Sequence, residues 1–424
     1  MRRIIVGIDG VPFHLLQHYA NNNVMPYFKS LLVDGMLTEM HSSIPEISSV
    51  SWSSIITGDN PGEHGIYGFT DMLPGTYTTS FPNFINLKTT PFWNKQEKEQ
   101  HAIINVPSTY PAKPLNGFMV SGFVALELEK ALYPQSYLSK LQKMDYQIDV
   151  DSSKAHKSTS LFLEDLFYTL EKRIELYRYL WKKQHWDTFM LVFTGSDRLE
   201  HFLWNAYENK DHEYHEQFLQ YFRRIDEIIG EISQQLTEDD SLIMVSDHGM
   251  EQIKVNVNIN TYLQEQGFIQ LGNKPEKKYR NMQPETQAFA MEPARIYLHK
   301  NKRFPKGTVS SDQEKKIVDD LVEALSSLTY NGKKVIRKVC KRDDIYHGPF
   351  VENAPDLVLL PNSGFSLRGG IGKQQLFEDP DIIVGMHTQQ DAFLYVHGKE
   401  NKDLIPRQPT VEDVVPILNG LQKR

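Results

Sequence analysis

Three features of the chain predict an α/β fold with a doubly wound, mostly parallel central sheet. Apolar, β-branched runs at 3–8, 188–193 and 242–246 lack the alternation of a half-exposed strand, as strands covered on both faces require. Long segments with apolar residues at three- and four-residue spacing, notably 158–184 and 211–236, lie between them and have the period of helices laid on a sheet. At or just past the end of each run stands an acid: Asp9, Asp197 and Asp247. Ligands of open α/β sheets collect at those strand ends.

Taken in order, 3–8 is the first strand and ends at Asp9-Gly10. Helices are expected over 13–19 and 25–32, then a strand over 36–40. Hydroxyls at Ser48, Ser49 and Ser51 precede apolar Trp52, Ile55 and Ile56, and Gly58 and Pro61 follow. That pattern marks a short helix with its N-terminus at the serines, an end that favours an anion such as phosphate. Strands are expected at 102–106 and 118–120. The interval 70–157 is expected to supply substrate-facing loops, with Phe81, Phe92, Trp93 and Phe123 among them, although aromatics in such a stretch are more often core than stacking platforms. After the 188–193 strand, Asp197 and His201 are four apart, so a helix starting there aims both at one point, with Arg198 and Glu200 pointing elsewhere. The 242–246 strand delivers Asp247-His248, with Gly249 allowing a tight turn behind them. His387 is expected in a loop, followed by a strand over 392–396 and a helix over 410–421. Residues 1–269 with 376–424 are expected to form the core, and 270–375 a smaller inserted α+β subdomain.

Composition narrows the class. A net charge of −8 offers no basic face, so no stable nucleic-acid complex is expected, although a metal can reverse the local sign for a small phosphate-containing substrate. Cys340 is the single cysteine, which excludes an internal disulfide framework or a multi-thiolate site. The chain enters a strand without a charged-then-apolar leader and contains no apolar run long enough to span a membrane, so a cytoplasmic protein is expected. Oligomeric state is left open.

Asp9, Asp197, Asp247, His201, His248 and His387, with the Ser48 hydroxyl, make a mixed oxygen and imidazole set. Such a set suits zinc, accommodates manganese and does not suit calcium. Six ligands and a hydroxyl are the complement for two ions. Two cations about 4 Å apart can activate a nucleophile on one side of phosphorus and hold the leaving oxygen on the other, and a serine needs such activation.

These residues resemble the alkaline phosphatase superfamily, specifically its type I phosphodiesterase/nucleotide pyrophosphatase branch. The resemblance rests on Ile8-Asp9-Gly10, Thr57-Gly58 with Pro61 and His64-Gly65, Asp197 to His201, Ser246-Asp247-His248-Gly249-Met250 and Gly385-Met386-His387. Further matching stretches are 256–260, Arg295-Ile296-Tyr297 and Ala354-Pro355-Asp356, so it spans nearly the whole chain. It implies one zinc on Asp197, His201 and His387, and another on Asp9, Asp247 and His248 with the nucleophile. The family's nucleophile stands nine residues before the Thr-Gly pair, which gives Ser48, with Ser49 as the neighbouring alternative. The implied activity is hydrolysis of phosphodiester or nucleotide pyrophosphate bonds. A phosphomonoesterase or phosphonate hydrolase is the alternative within the class, and a non-catalytic metal-binding scaffold the alternative outside it. Phe69 stands where the pyrophosphatases carry an Asn that contacts a phosphoryl oxygen, and no Cys/Ser-x-Pro-x-Arg motif of a sulfatase is present.

Overall fold

Five parallel strands, Ser241–Val245, Arg3–Ile8, Thr188–Phe193, His101–Val106 and Gly117–Ser121, lie side by side in that order at the centre of an eight-stranded sheet. The computed structural model describes residues 2–183 and 185–422. Antiparallel strands Ala392–His397 and Gly35–Met40 extend one edge, and Leu132–Tyr133 closes the other. Every residue of Arg3–Ile8, His101–Val106 and Thr188–Phe193 is buried, which accounts for their unbroken apolar character: both faces are covered. The helix Thr159–Lys183 buries Phe162, Leu166, Leu170, Ile174 and Tyr177 along one stripe, and His215–Ser233 buries Phe218, Phe222, Ile225, Ile229 and Ile232. Both stripes join the core that contains the sheet residues Ile4, Val6, Phe189 and Leu191.

The chain divides into two compact units. The sheet and these helices belong to the larger, Met1–Asp59 with Asn83–Gln252 and Ile382–Arg424. The smaller, Asn60–Pro82 with Ile253–Asp381, holds a four-stranded antiparallel sheet of Ala288–Met291, Arg295–Leu298, Leu357–Pro361 and Ile336–Lys341. It also contains a three-stranded sheet around Val255–Asn258 and the helix Ser311–Ser327, whose Ile317, Leu321 and Leu325 enter its own apolar core.

Several local expectations change. Of the aromatics in the 70–157 interval, Phe92 and Trp93 take the core role and do not face a substrate, being 2% and 1% exposed in the larger unit; burial of so large an apolar surface is the favoured outcome for Trp93. His387 is not in a loop but on the strand Gly385–Thr388, antiparallel to Gly249–Gln252, with Met250 opposite His387. Gly249 therefore makes no turn. A Cβ there would stand 2.4 Å from Thr388 Oγ1 and 3.0 Å from two backbone oxygens, so glycine admits the neighbouring strand.

Gly385 has the same task on its other side, since a Cβ would come within 2.4 Å of the Glu200 carbonyl oxygen. That obstacle is helix backbone and has little freedom to move. Gly385→Ala is expected to lower stability by about 1–3 kcal/mol, the usual cost of overpacking. Chemical denaturation measures it, and an unchanged midpoint would contradict this close approach.

Candidate functional site

The three central strands place their acids side by side. Asp9 follows Arg3–Ile8, which pairs on one side with Thr188–Phe193 and on the other with Ser241–Val245. Asp197 lies in the first turn of the helix Gly195–Glu208, directly after the second of these strands, and Asp247-His248 follows the third. Adjacent strands are about 4.8 Å apart, so residues just past their ends are within reach of one ion. Backbone and side-chain bonds fix each acid. Asp9 N–H donates to the Phe193 carbonyl at 3.1 Å, Ser196 Oγ donates to the Asp9 carbonyl at 2.7 Å, and Gly10 N–H donates to Asp247 Oδ1 at 3.1 Å. Trp52 Nε1–H donates to Asp9 Oδ2 at 3.0 Å.

The three histidines share one device. Nδ1–H of His201 donates to the Gly385 carbonyl at 2.8 Å, that of His387 to the Glu46 carbonyl at 2.9 Å, and that of His248 to the Gly249 carbonyl at 3.0 Å. A carbonyl only accepts, so each Nδ1 holds the proton and each Nε2 of the neutral ring presents a lone pair, the arrangement of a metal-ligating imidazole. Those lone pairs converge. His201 Nε2 and His387 Nε2 are 2.9 Å apart, and they stand 3.3 and 3.2 Å from Asp197 Oδ1. His248 Nε2 is 3.3 Å from Asp247 Oδ2 and 3.8 Å from both Asp9 Oδ1 and Asp197 Oδ1. Two groups can each hold an ion, Asp197 with His248 and His387, and Asp9 with Asp247 and His248; the contacts of His201 add it to the first.

The electrostatics favour protons or a cation at this point. Asp9 Oδ1, Asp197 Oδ1 and Asp247 Oδ2 are buried and have no hydrogen-bond partner, an arrangement that costs several kcal/mol unless something positive faces it. Burial, then the Asp247 and Asp197 charges, push the Asp9 carboxyl well above its ordinary value. Burial lifts Asp247 to about 6, with Asp197 adding to the shift and His387 opposing it. Burial would also raise Asp197, but His201 and His387 overcome it and hold that carboxyl well below the usual range. His248 is pushed well down by burial and by His387. Burial works against a charge on His387 too, yet the Asp197 carboxylate outweighs it and raises the ring. The donor set, its lone pairs and its orphaned oxygens fit two divalent ions.

Ser48 opens the helix Ser48–Thr57, which ends on Gly58 at φ 74°. The serines do not cap it: the N-cap residue is Ile47, and no side chain bonds the first turn. Ser48 Oγ instead donates to His248 Nε2 at 3.1 Å, whereas the buried Ser49 Oγ has no hydrogen-bond partner. The structure thus brings together all seven residues singled out by the sequence: Asp9, Ser48, Asp197, His201, Asp247, His248 and His387.

Other neighbours of the site were not legible in advance. Arg198 does not point elsewhere. Its Nη1 lies 3.4 Å from Asp197 Oδ2, its Nη2 lies 3.2 Å from Asp149 Oδ2, and its guanidinium stacks 3.8 Å from the centre of the Phe123 ring. The length of the side chain lets it fold back past the helix direction that spacing alone suggests. Glu200 is fully buried, with neither carboxyl oxygen hydrogen-bonded, and a Cβ on Gly10 would lie 3.2 Å from its Oε2. Burial, then Asp197 and Asp247, push it well above the usual carboxyl range.

A family model described as type I phosphodiesterase / nucleotide pyrophosphatase matches residues 3–390. Among solved structures, the chain is similar to phosphonoacetate hydrolase from Sinorhizobium meliloti 1021 in complex with phosphonoacetate, with TM-score 0.63, 15% identity, and 100% of this chain and 95% of that chain covered. It is similar also to murine ectonucleotide pyrophosphatase / phosphodiesterase 5 in complex with AMP, with TM-score 0.57, 12% identity and the same coverage. A wild-type alkaline phosphatase aligns with TM-score 0.59 and 14% identity over 99% of this chain and 95% of that one. No protein with a curated description matches the sequence. No helix among the described residues is long and apolar enough to cross a membrane.

The raised carboxyls set a pH dependence. In the unfolded chain Asp247 ionises near 3.8, but in the folded metal-free protein it keeps its proton to about 6, and Asp9 is pushed in the same direction. The stabilising contribution of these protonated carboxyls is therefore present at low pH and lost as pH rises through that window. A divalent ion replaces the protons. Zinc is expected to raise the thermal midpoint of the metal-free protein more at about pH 7.5 than at about pH 5. An equal increment at both would contradict a site built on Asp9 and Asp247.

Proposed function

The chain belongs to the type I phosphodiesterase/nucleotide pyrophosphatase family and is a hydrolase of the alkaline phosphatase superfamily, and on that premise we propose that it cleaves phosphodiester or nucleotide pyrophosphate bonds through a phosphoseryl intermediate on Ser48. The observation that carries this reading is the Ser48 hydroxyl, 3.1 Å from His248 Nε2, at the start of a helix and beside two groups of ligands that share that histidine. Asp197, His201 and His387 would hold one ion, and Asp9, Asp247 and His248 the other; zinc is the first choice and manganese the second. When bound, such a pair supplies positive charge to both the attacking and the departing oxygen.

Ser48 releases its hydroxyl proton to solvent as its Oγ forms a bond to phosphorus, while the phosphorus–oxygen bond to the leaving group breaks and that oxygen departs with the electron pair. Water then adds to the phosphoseryl phosphorus, one of its protons passes to solvent, and Oγ leaves with the electron pair and takes up the other proton, restoring the serine hydroxyl. Trp52 and Gly10 hold Asp9 and Asp247 in place through both steps. No side chain caps this helix, and its N-terminal end favours an anion such as a phosphoryl group.

A phosphonate or phosphomonoester substrate is the second reading. It is supported by Phe69, whose ring offers no hydrogen bond where the pyrophosphatases present an Asn, and by the likeness to a phosphonoacetate hydrolase.

Ser48→Ala and Asp247→Asn are each expected to abolish turnover while leaving the circular-dichroism spectrum unchanged, and full activity in Ser48→Ala would remove the covalent route. Elemental analysis is expected to find about two zinc per chain; none would favour a scaffold. Rates on bis- and mono-p-nitrophenyl phosphate in one preparation separate the diesterase from the monoesterase, the first reading requiring the diester to be faster.

A further inference from the structure

A group of buried hydroxyls outside the ligand set connects the segments that carry the site. Ser51 lies one turn along the helix from Ser48 and is fully buried. Its Oγ is 2.9 Å from Ser42 Oγ and 2.8 Å from Ser43 Oγ. Ser42 Oγ donates to the carbonyl of Asp247 at 2.7 Å, and Ser43 Oγ donates to the carbonyl of Pro45 at 2.7 Å. With those two protons committed to carbonyls, Ser51 donates the proton in its own contact with the pair. The backbone N–H of Ser42 donates to the carbonyl of Gln389, two residues past His387, at 2.8 Å. Ser42 is therefore a node where the nucleophile helix, the Asp247-His248 strand end and the chain beyond His387 meet.

Packing alone does not ask for these hydroxyls. Alanine would fill nearly the same volume without a polar group to satisfy, and serine is the weaker helix former. A hydrogen bond is directional where apolar contact is not, so a helix pinned by one keeps its rotation and height relative to its partner. We propose that Ser42 and Ser51 are positioning residues, whose hydroxyl contact fixes the nucleophile helix against the Asp247-His248 strand end and sets Ser48 Oγ at its attacking distance. The inference rests on the reading of Ser48 as nucleophile. Ser53 is the internal comparison: it is buried on the same helix, but its Oγ donates at 2.6 Å to the Ser49 carbonyl, within the helix itself.

The experiment uses the zinc-loaded full chain as wild type, Ser51→Ala, Ser42→Ala, the double variant, Ser53→Ala and Ser48→Ala. It measures kcat and KM on bis-p-nitrophenyl phosphate, affinity for orthovanadate, bound metal and thermal midpoint. Orthovanadate accepts a serine oxygen as a further ligand and makes that readout independent of the natural substrate. Ser51→Ala and Ser42→Ala are each expected to lower kcat and weaken orthovanadate binding by about 10- to 100-fold, the cost of a small misplacement of a reacting group. KM and bound metal stay at wild-type values. The double variant is no worse than the more severe single variant, because both remove one link. Ser53→Ala loses a comparable buried hydrogen bond and a comparable midpoint but keeps wild-type kcat and orthovanadate affinity. Ser51→Ala behaving like Ser53→Ala in both readouts, or losing metal in proportion to rate, overturns the proposal. If Ser48→Ala is inactive in the same series, that result overturns this inference alone; if Ser48→Ala is active, the nucleophile reading itself fails.

Discussion

Three carboxylates buried at the ends of neighbouring strands repel one another, and the rest of the larger unit is arranged around that repulsion. Asp9, Asp197 and Asp247 each turn one oxygen inward without a hydrogen bond. In a medium of low polarity such a cluster is tolerated only by taking up protons or binding cations. The shifts divide accordingly: Asp9 and Asp247 are pushed toward the protonated form, while Asp197, flanked by His201 and His387, is held as the anion. A metal-free chain thus already contains the asymmetry on which a pair of ions would act.

The sheet makes this crowding unavoidable. Once Arg3–Ile8 lies between Thr188–Phe193 and Ser241–Val245, the residues that follow the three strands have nowhere else to go. The imidazoles come from the third strand end, the helix after the second strand and the strand Gly385–Thr388, and are oriented by main-chain carbonyls of Gly249, Gly385 and Glu46. Backbone acceptors cannot change charge or rotamer, so the ring tautomers are set by the fold and not by other titrating side chains. Ser48 joins through a helix whose first turn no side chain caps, which leaves its hydroxyl for His248.

Much of this could be read from the sequence, because local pattern encodes it. Unbroken apolar runs marked the buried parallel strands, and an acid at or just past each run marked the strand ends. The four-residue spacing of Asp197 and His201 placed both on one helix face. What could not be read depends on tertiary pairing. His387 looked like a loop residue because its strand is short and exists only through register with Gly249–Gln252. Phe92 and Trp93 lie in a polar, proline-rich stretch where sequence alone does not separate a core aromatic from a substrate-facing one, and packing makes them core. Arg198 is expected to point elsewhere yet returns to Asp197, because helix geometry sets the direction of its Cβ but not the path of a long, flexible side chain. Ser51 reads only as one of the hydroxyls at a helix start, nothing in the local pattern marks Ser42 or Ser43, and their mutual contacts arise only when the helix is docked.

The proposed hydrolysis needs a pair of divalent ions enclosed by these side chains beside Ser48. Anomalous diffraction at the zinc edge from crystals of the zinc-loaded protein tests it directly. Two peaks about 4 Å apart are expected, one within coordination distance of Asp197, His201 and His387 and the other of Asp9, Asp247 and His248, with Ser48 Oγ adjoining the second. A lone peak elsewhere, or two peaks that leave Ser48 remote from both, would contradict it.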